Sequence, residues 1–251
     1  MVERSKTGID GLDKALNGGF PFGNVVLVSG GAGTGKSTMC LQYIINGATK
    51  YGERGLYIST EQQKKELYKT ADSFGWNLKE LEDAGKIRII YFDVVETDGF
   101  LEKIYEAYTS FNPKRVVIDS LTTLADSLLV AGSTQTSTYT MIKISQSVSP
   151  IPQSERIVTK NLLYHLLKKL RLFDSTILLT SELLEGEKGL SADAISEFIC
   201  DGVITMHYLE IGVSDFRSLQ IRKMRYTSHE KSTIPYDIST TGITIMEEDK
   251  L

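Results

Sequence analysis

Cysteine is scarce in this chain. Cys40 and Cys200 stand far apart and neither has a second Cys or a His at metal-ligand spacing, so a disulfide framework and a zinc knuckle are both excluded; the two read as small buried apolar residues. Long apolar runs are also missing. Nothing reaches the roughly 18 residues that a membrane span requires, and the opening MVERSKTGID lacks the apolar core of a secretory signal, so a cytoplasmic protein without a membrane partner is expected. Nor is there an excess of positive charge: 28 Lys+Arg against 32 Asp+Glu leave a net −4, which argues against gripping nucleic acid or anionic membrane by overall charge. No internal period repeats, which removes solenoids and propellers. With 41% hydrophobic and 24% charged residues the composition is that of an ordinary globular protein, not of a disordered tail or a fibre, and 251 residues suffice to bury a real core.

What is present is an alternation. Short β-branched runs, VVLVSG from Val25, GLYIS from Gly55, IRIIYF from Ile87, RVVID from Arg115 and TILLTS from Thr176, read as buried strands. Between them the amphipathic stretches Ser37 to Lys50, Gln62 to Phe74, Gly99 to Phe111 and Glu155 to Phe173 read as helices. The last carries an apolar stripe of Val158, Leu162, Leu163, Leu166, Leu167 and Leu170, opposite Lys160, His165, Lys168 and Lys169. Such alternation implies an α/β fold with parallel strands, right-handed crossovers and helices on both faces. After Ser196 the helical spacers stop, and GVITMHYLE, FRSLQIRKM, IPYDI and GITIM predict antiparallel hairpins at the end of the sheet. Ala131 to Ser154, polar and rich in Ser, Thr and Gln, resists assignment: functional loop, partial helix or disorder all remain open.

The chemistry begins at Gly30. Gly30-Gly31-Ala32-Gly33-Thr34-Gly35-Lys36-Ser37, followed by Thr38, fits G-x-x-x-x-G-K-[ST] and stands after a predicted strand and before a predicted helix. The glycines let successive N–H groups turn toward phosphate oxygens, and the helix adds its positive end. Lys36 is expected on the terminal phosphates of ATP and Ser37 on Mg²⁺, with Asp119, at the end of the Arg115 run, as the second metal-site residue. Hydrolysis also needs a group to orient the attacking water. The residue after Asp119 is Ser120, so Glu61, after the Gly55 strand, is the candidate; its alternative role is a solvated helix cap.

These residues together resemble the RecA-type ATPases and, within them, the KaiC family. The resemblance covers nearly the whole chain, through TGIDGLDKALNGGFP, YISTEQ, VVIDSLTTL, LLTSELLEG, FICDGVITMHYLE and KMRYTSH. It implies a RecA-like P-loop NTPase fold with a mostly parallel sheet of about eight strands, one ATPase domain over residues 1–251, and homo-oligomers, habitually six-membered rings, with ATP between subunits. By the same resemblance Glu61 is the catalytic glutamate, and Gln62 replaces a second Glu that many members carry, a difference that bears on the rate. Lys223 and Arg225 would act on the neighbouring subunit's phosphates, the alternative being a solvated pair on an edge strand; Ser228, His229 and Lys231 would lie near ribose or base. The Ser-Thr pair that one domain of the two-domain members phosphorylates corresponds here to Glu197-Phe198, so no autophosphorylation is expected.

Three functions follow for comparison. One is an ATPase that uses ATP binding and hydrolysis to switch its contacts with a protein partner the sequence does not identify. Another is a recombinase paralogue binding single-stranded DNA through two axis-facing loops. Here the first, Ala131 to Glu155, carries only Lys143 and Glu155 as charges, and the second carries Glu182, Glu185, Glu187, Asp193 and Glu197 against Lys188, which disfavours DNA. The third is a slow nucleotide-sensing scaffold, resembling the archaellum motor's accessory ATPase at Ser59-Thr60-Glu61-Gln62.

Overall fold

The computed structural model describes residues 2–93, 100–125, 151–183, 189–211 and 214–246. Eleven strands and seven helices are labelled here in chain order among those residues: β1 Arg4–Ser5, α1 Leu12–Ala15, β2 Phe20–Pro21, β3 Val25–Gly30, α2 Lys36–Lys50, β4 Gly55–Ser59, α3 Lys64–Ser73, α4 Leu78–Asp83, β5 Ile87–Tyr91, α5 Phe100–Phe111, β6 Arg115–Asp119, α6 Ile151–Leu170, β7 Thr176–Glu182, α7 Ser196–Ile199, β8 Gly202–Ile211, β9 Ser214–Met224, β10 Ile234–Ser239 and β11 Gly242–Ile245. Residues 121–125 are also helical.

The main sheet has nine strands in the order β11-β10-β9-β8-β3-β7-β6-β4-β5. The strands from β8 to β5 run parallel, and β9, β10 and β11 close the other edge as antiparallel pairs. All nine apolar runs became strands of this one sheet. The small pair β1-β2, antiparallel through Arg4↔Pro21 and Ser5↔Phe20, has no apolar pattern of its own and was not foreseen. The helix expected from Gln62 starts at Lys64 because Glu66 folds back to accept the Gln63 N–H at 2.8 Å, so the cap falls there and Glu61 stays outside. Of the unassigned segment, residues 151–154 form the start of α6 and residues 131–150 lie outside the described residues.

Period-2 alternation sorts each central strand between two cores. Val26, Val28, Tyr57, Val117, Leu178 and Ile204 face α2 and α3. Val25, Leu27, Leu56, Ile58, Val116 and Ile118 face α5 and α6, where Leu163, Leu166, Leu167 and Leu170 are the buried side of the predicted stripe while Lys160, His165, Lys168 and Lys169 are exposed. Both faces are covered, which is why these strands read as continuous apolar runs.

One charged residue lies inside this packing. Arg115, fully buried at the start of β6, donates from Nε to Glu53 at 2.5 Å and from Nη1 to the Tyr43 carbonyl at 2.9 Å, and its guanidinium lies over the Tyr43 ring, 4.4 Å from the centroid. Room for it comes from Gly47 on α2, where an added Cβ would stand 2.4 Å from Arg115 Cδ. Replacing a mid-helix Gly by Ala normally gains up to about 1 kcal/mol. Overpacking against a side chain that cannot move costs about 1–3 kcal/mol and wins here. Gly47→Ala is therefore expected to lower the Tm by a few degrees in a thermal melt, roughly 2–4 °C per kcal/mol at this size.

Candidate nucleotide site

Parallel register carries three predicted groups to one edge of the sheet. Gly30 ends β3, Asp119 ends β6 and Glu61 follows β4 by two residues; β7 lies between β3 and β6, and β6 pairs with β4 through Ser59↔Asp119. This is the carboxyl end of an open α/β sheet, where such folds leave a crevice.

The P-loop turns immediately after β3. Gly33 and Gly35 have φ of +72° and +88°, a region that favours glycine, and Gly35 caps α2. A Cβ on Gly30 would sit 2.4 Å from the Met206 carbonyl oxygen, so close packing of β8 also demands glycine there. Lys36 is buried and donates from Nζ to the Gly31 carbonyl at 3.0 Å, while Thr34 Oγ1 donates to the same oxygen at 2.9 Å. Ser37 and Thr38, in the first turn of α2, are partly exposed, and Ala32 and Gly33 are exposed at the tip of the loop. The loop is braced from the far side of α2 by the terminal hairpin: Tyr236 donates its hydroxyl to the Thr34 carbonyl, and Ile238 packs where a Cβ of Gly35 would be. The sequence held no sign of that brace.

Asp119 is 2% exposed. Tyr57 donates its hydroxyl to Oδ2 at 2.6 Å and Thr180, from β7, donates to Oδ1 at 2.5 Å, so the buried carboxylate is satisfied on both oxygens. Glu61 is exposed, and its Oε1 accepts two hydroxyls, from Ser120 and, at 2.8 Å, from Thr123. Thr60 ties the strand ends together, donating its N–H to the Asp119 carbonyl at 2.8 Å and accepting the Ser120 N–H on Oγ1 at 2.9 Å. Ser120, Thr123, Tyr57 and Thr180 were not singled out in the sequence; only their place beside Asp119 and Glu61 marks them.

Lys223 and Arg225 lie at the opposite end of the sheet. Val203 of β8 pairs with both Leu27 and Lys223, Gly202 pairs with both Val26 and Met224, and Arg225 bonds Asp201, which bonds Val25. Lys223 is thus three residues of strand, about 10 Å, from the level of Gly30, and Arg225 five, about 17 Å. Neither side chain reaches its own chain's P-loop. Lys223 Nζ instead donates to the carbonyls of Glu197 at 3.1 Å, Phe198 at 3.2 Å and Cys200 at 2.5 Å, and burial, then the nearby Arg225, push its pKa down. Arg225 pairs with Asp201 at 2.8 Å. Ser228, His229 and Lys231 lie on the β9–β10 connection beside α1, where Ser228 accepts from Asn17 at 3.2 Å and Glu230 N–H bonds the Ala15 carbonyl at 2.9 Å, also away from the P-loop.

Two of the acids assigned to the second axis loop also have local partners. Asp193 accepts the N–H groups of Ile195 and Ser196 at 2.7 and 2.6 Å, and Glu197 is buried with the Ser191 hydroxyl on its carboxylate, so both serve the local fold. Glu182 is exposed; Glu185, Glu187 and Lys188, like Lys143, lie outside the described residues.

Burial also shapes ionisation beneath the site. Cys40, one turn into α2, has its thiol pushed well above the usual 9.0, first by burial and then by Asp119, with Lys36 opposing. Burial followed by Asp119 does the same to the Tyr57 hydroxyl, and burial raises Tyr43 and Cys200 to about 12 each. A folded-state pKa raised above the unfolded one contributes stability that is complete below the unfolded value and lost as pH rises toward the folded one. Melting temperatures measured across alkaline pH should fall from about pH 9 upward, and both thiols should resist alkylation at pH 8 until the chain unfolds.

With this geometry in place, the comparisons with known proteins are direct. A family model described as "ATPase: KaiC" matches residues 5–144 and 135–250. A UPF0273 protein of Pyrococcus furiosus is 32% identical over 100% of this chain and 96% of its own length, and a UPF0273 protein of Thermotoga maritima is 34% identical over 98% and 96%. The circadian clock oscillator protein KaiC of Parathermosynechococcus lividus is 28% identical over 97% of this chain, which spans 42% of that longer protein. Among solved structures, the KaiC-like protein of the archaeon Pyrococcus horikoshii superposes with a TM-score of 0.80 at 35% identity, covering 98% of this chain and 100% of that one. A P-loop at the end of a central strand, two carboxylates at neighbouring strand ends and a RecA-type sheet agree with these matches, and the chain belongs to the KaiC family of RecA-superfamily ATPases.

Proposed function

We propose that the chain is one Mg²⁺-dependent ATPase domain, residues 1–251, that assembles into a homo-oligomeric ring of six through its nucleotide sites and uses ATP binding and hydrolysis to regulate a protein partner in the cytoplasm. One observation carries this reading. The P-loop, Asp119 and Glu61 stand at one end of the sheet, while Lys223 and Arg225 stand toward the other, away from their own chain's P-loop, which supports a role on a second copy's nucleotide.

In this reading the N–H groups of residues 31–38 and the positive end of α2 receive the ATP phosphates, and Lys36 leaves the Gly31 carbonyl for the terminal phosphate. The donor set fits Mg²⁺, which favours one or two carboxylates with phosphate oxygens and water: Ser37 and Asp119 would hold it, Tyr57 and Thr180 fixing the carboxylate. The ion would neutralise charge on the phosphates. Ser120 and Thr123 occupy Glu61 Oε1 and leave Oε2 to orient a water and take its proton as the water attacks the γ-phosphorus and ADP departs. Arg225 of a neighbouring copy would balance charge on the departing phosphate, with Lys223, Ser228, His229 and Lys231 on the same side of the junction. At 197–198 Glu and Phe offer no hydroxyl, and the Ser196 hydroxyl is buried on Asp193 at 2.7 Å, which supports turnover without self-phosphorylation.

Steady-state assays should show Glu61→Gln losing about 10²–10⁴-fold in kcat with ATP affinity retained; equal turnover by the variant and the native chain would remove Glu61 from the mechanism. Light scattering should report a larger species with ATP than with ADP, whereas a monomer in both states would deprive Arg225 of its role. Intact-mass measurement after incubation with ATP should show no added phosphate.

A further inference from the structure

Arg225 does not project freely from the sheet. Its guanidinium donates from Nη1 to Oδ1 of Asp201 at 2.8 Å, and its own N–H bonds the Asp201 carbonyl at 2.9 Å, so one residue holds it by both backbone and side chain. Asp201 is in turn fixed on every side. Oδ1 also accepts from Arg171 Nη2 at 2.9 Å, Oδ2 accepts the Val25 N–H at 3.1 Å, and the Asp201 N–H donates to the Val25 carbonyl at 2.8 Å. Its side chain is 9% exposed, against 40% and 42% for Arg171 and Arg225. A buried carboxylate with two guanidinium groups and a backbone donor is a rigid anchor, and an arginine bonded to it through one nitrogen keeps the rest of its planar fork for another anion.

Lys223 is placed differently. Its ammonium closes the end of α7 on three carbonyls and is partly buried. Tyr226, directly after Arg225, is 69% exposed yet holds φ at +67°, a costly conformation for a bulky residue that persists only where surroundings over-determine it. The backbone at Arg225 is thus set from both sides: Asp201 before it and a left-handed residue after it.

We propose that Asp201, braced by Arg171, is a positioning residue that pre-orients Arg225 for the nucleotide of a neighbouring copy. This rests on the reading of Arg225 given above. Its physical basis is that a charged group aimed before the reaction costs no reorganisation at the transition state, whereas a misplacement of about 1 Å can cost about 10²-fold in rate.

The test is a cycle of ATPase measurements on the full chain assembled with ATP: native, Asp201→Asn, Arg225→Ala and the double variant. Asn keeps an acceptor for the Val25 N–H and removes the charge. The expected result is a kcat at least about tenfold lower for Asp201→Asn with KM and ATP-dependent assembly unchanged, and no further loss when it is added to Arg225→Ala. Native kcat in Asp201→Asn, or losses that multiply in the double variant, would overturn the proposal. Should Asp201→Asn fail to fold, Arg171→Gln, on a 40% exposed side chain, carries the same test: a severalfold drop in kcat that disappears in the Arg225→Ala background supports the proposal, and native kcat refutes it. If Arg225→Ala alone turns over at the native rate, the trans reading of Arg225 fails instead, and the two failures are told apart.

Discussion

The position of β3 between β7 and β8 is the constraint on which the rest of this molecule depends. It pairs with both neighbours in parallel register, through six residues from Val25↔Ile177 to Gly30↔Glu182 on one side and five from Val26↔Gly202 to Gly30↔Met206 on the other. A strand buried on both faces and bonded on both edges has no freedom to slide, because a shift of one residue would turn every core side chain to the wrong face. What happens at its two ends is therefore fixed relative to the core. At the carboxyl end the chain must turn sharply into α2, and the glycines of the P-loop make that turn. At the amino end Val25 is clamped to Asp201, which aligns β8 and, through it, the residues that follow β9.

The same sheet thereby separates two chemistries. One end collects acceptors and donors suited to a metal-bound triphosphate, and the other collects Arg225 and Arg171 on a single carboxylate, with Lys223 on the carbonyls of Glu197, Phe198 and Cys200. Parallel strands about 17 Å long between them keep either group from serving the other within one chain. In the proposed reading the two groups meet only across copies, which would make assembly a condition of a complete site.

Carboxylates recur as the fixing elements, and each has a different set of partners. Asp119 takes two hydroxyls, Asp201 takes two guanidinium groups and a backbone N–H, and exposed Glu61 takes two hydroxyls on one oxygen. The partners determine what remains available. Asp119 is held on both oxygens, each keeping a further lone pair, whereas Glu61 is held on Oε1 alone and Arg225 through Nη1 alone. None of these partners is adjacent in sequence to the group it holds; Ser120, beside Asp119, bonds Glu61 and not its neighbour.

Much of the fold was legible because its signal is local. Nine apolar runs, the helical stripe of α6 and the antiparallel ending are properties of short windows, and burial on both faces makes them strong. The small pair β1-β2 left no signal, since two residues carry no period. The P-loop, Asp119 and Glu61 could likewise be named from residue type and position after a strand, because phosphate and metal binding demand those types there. The rest depends on contacts between residues far apart in the chain. That Tyr236 braces Thr34, that Thr180 and Tyr57 hold Asp119, that two of the loop acids take local hydrogen bonds, and that Lys223 bonds the end of α7 while Arg225 bonds Asp201 all follow from strand order and register. The amino-acid sequence by itself determined which chemical groups this protein owns and which local structure each belongs to. Only the tertiary structure decided which of them meet, because hydrogen bonds and ion pairs act over a few ångströms and those distances exist only once the sheet has closed its order.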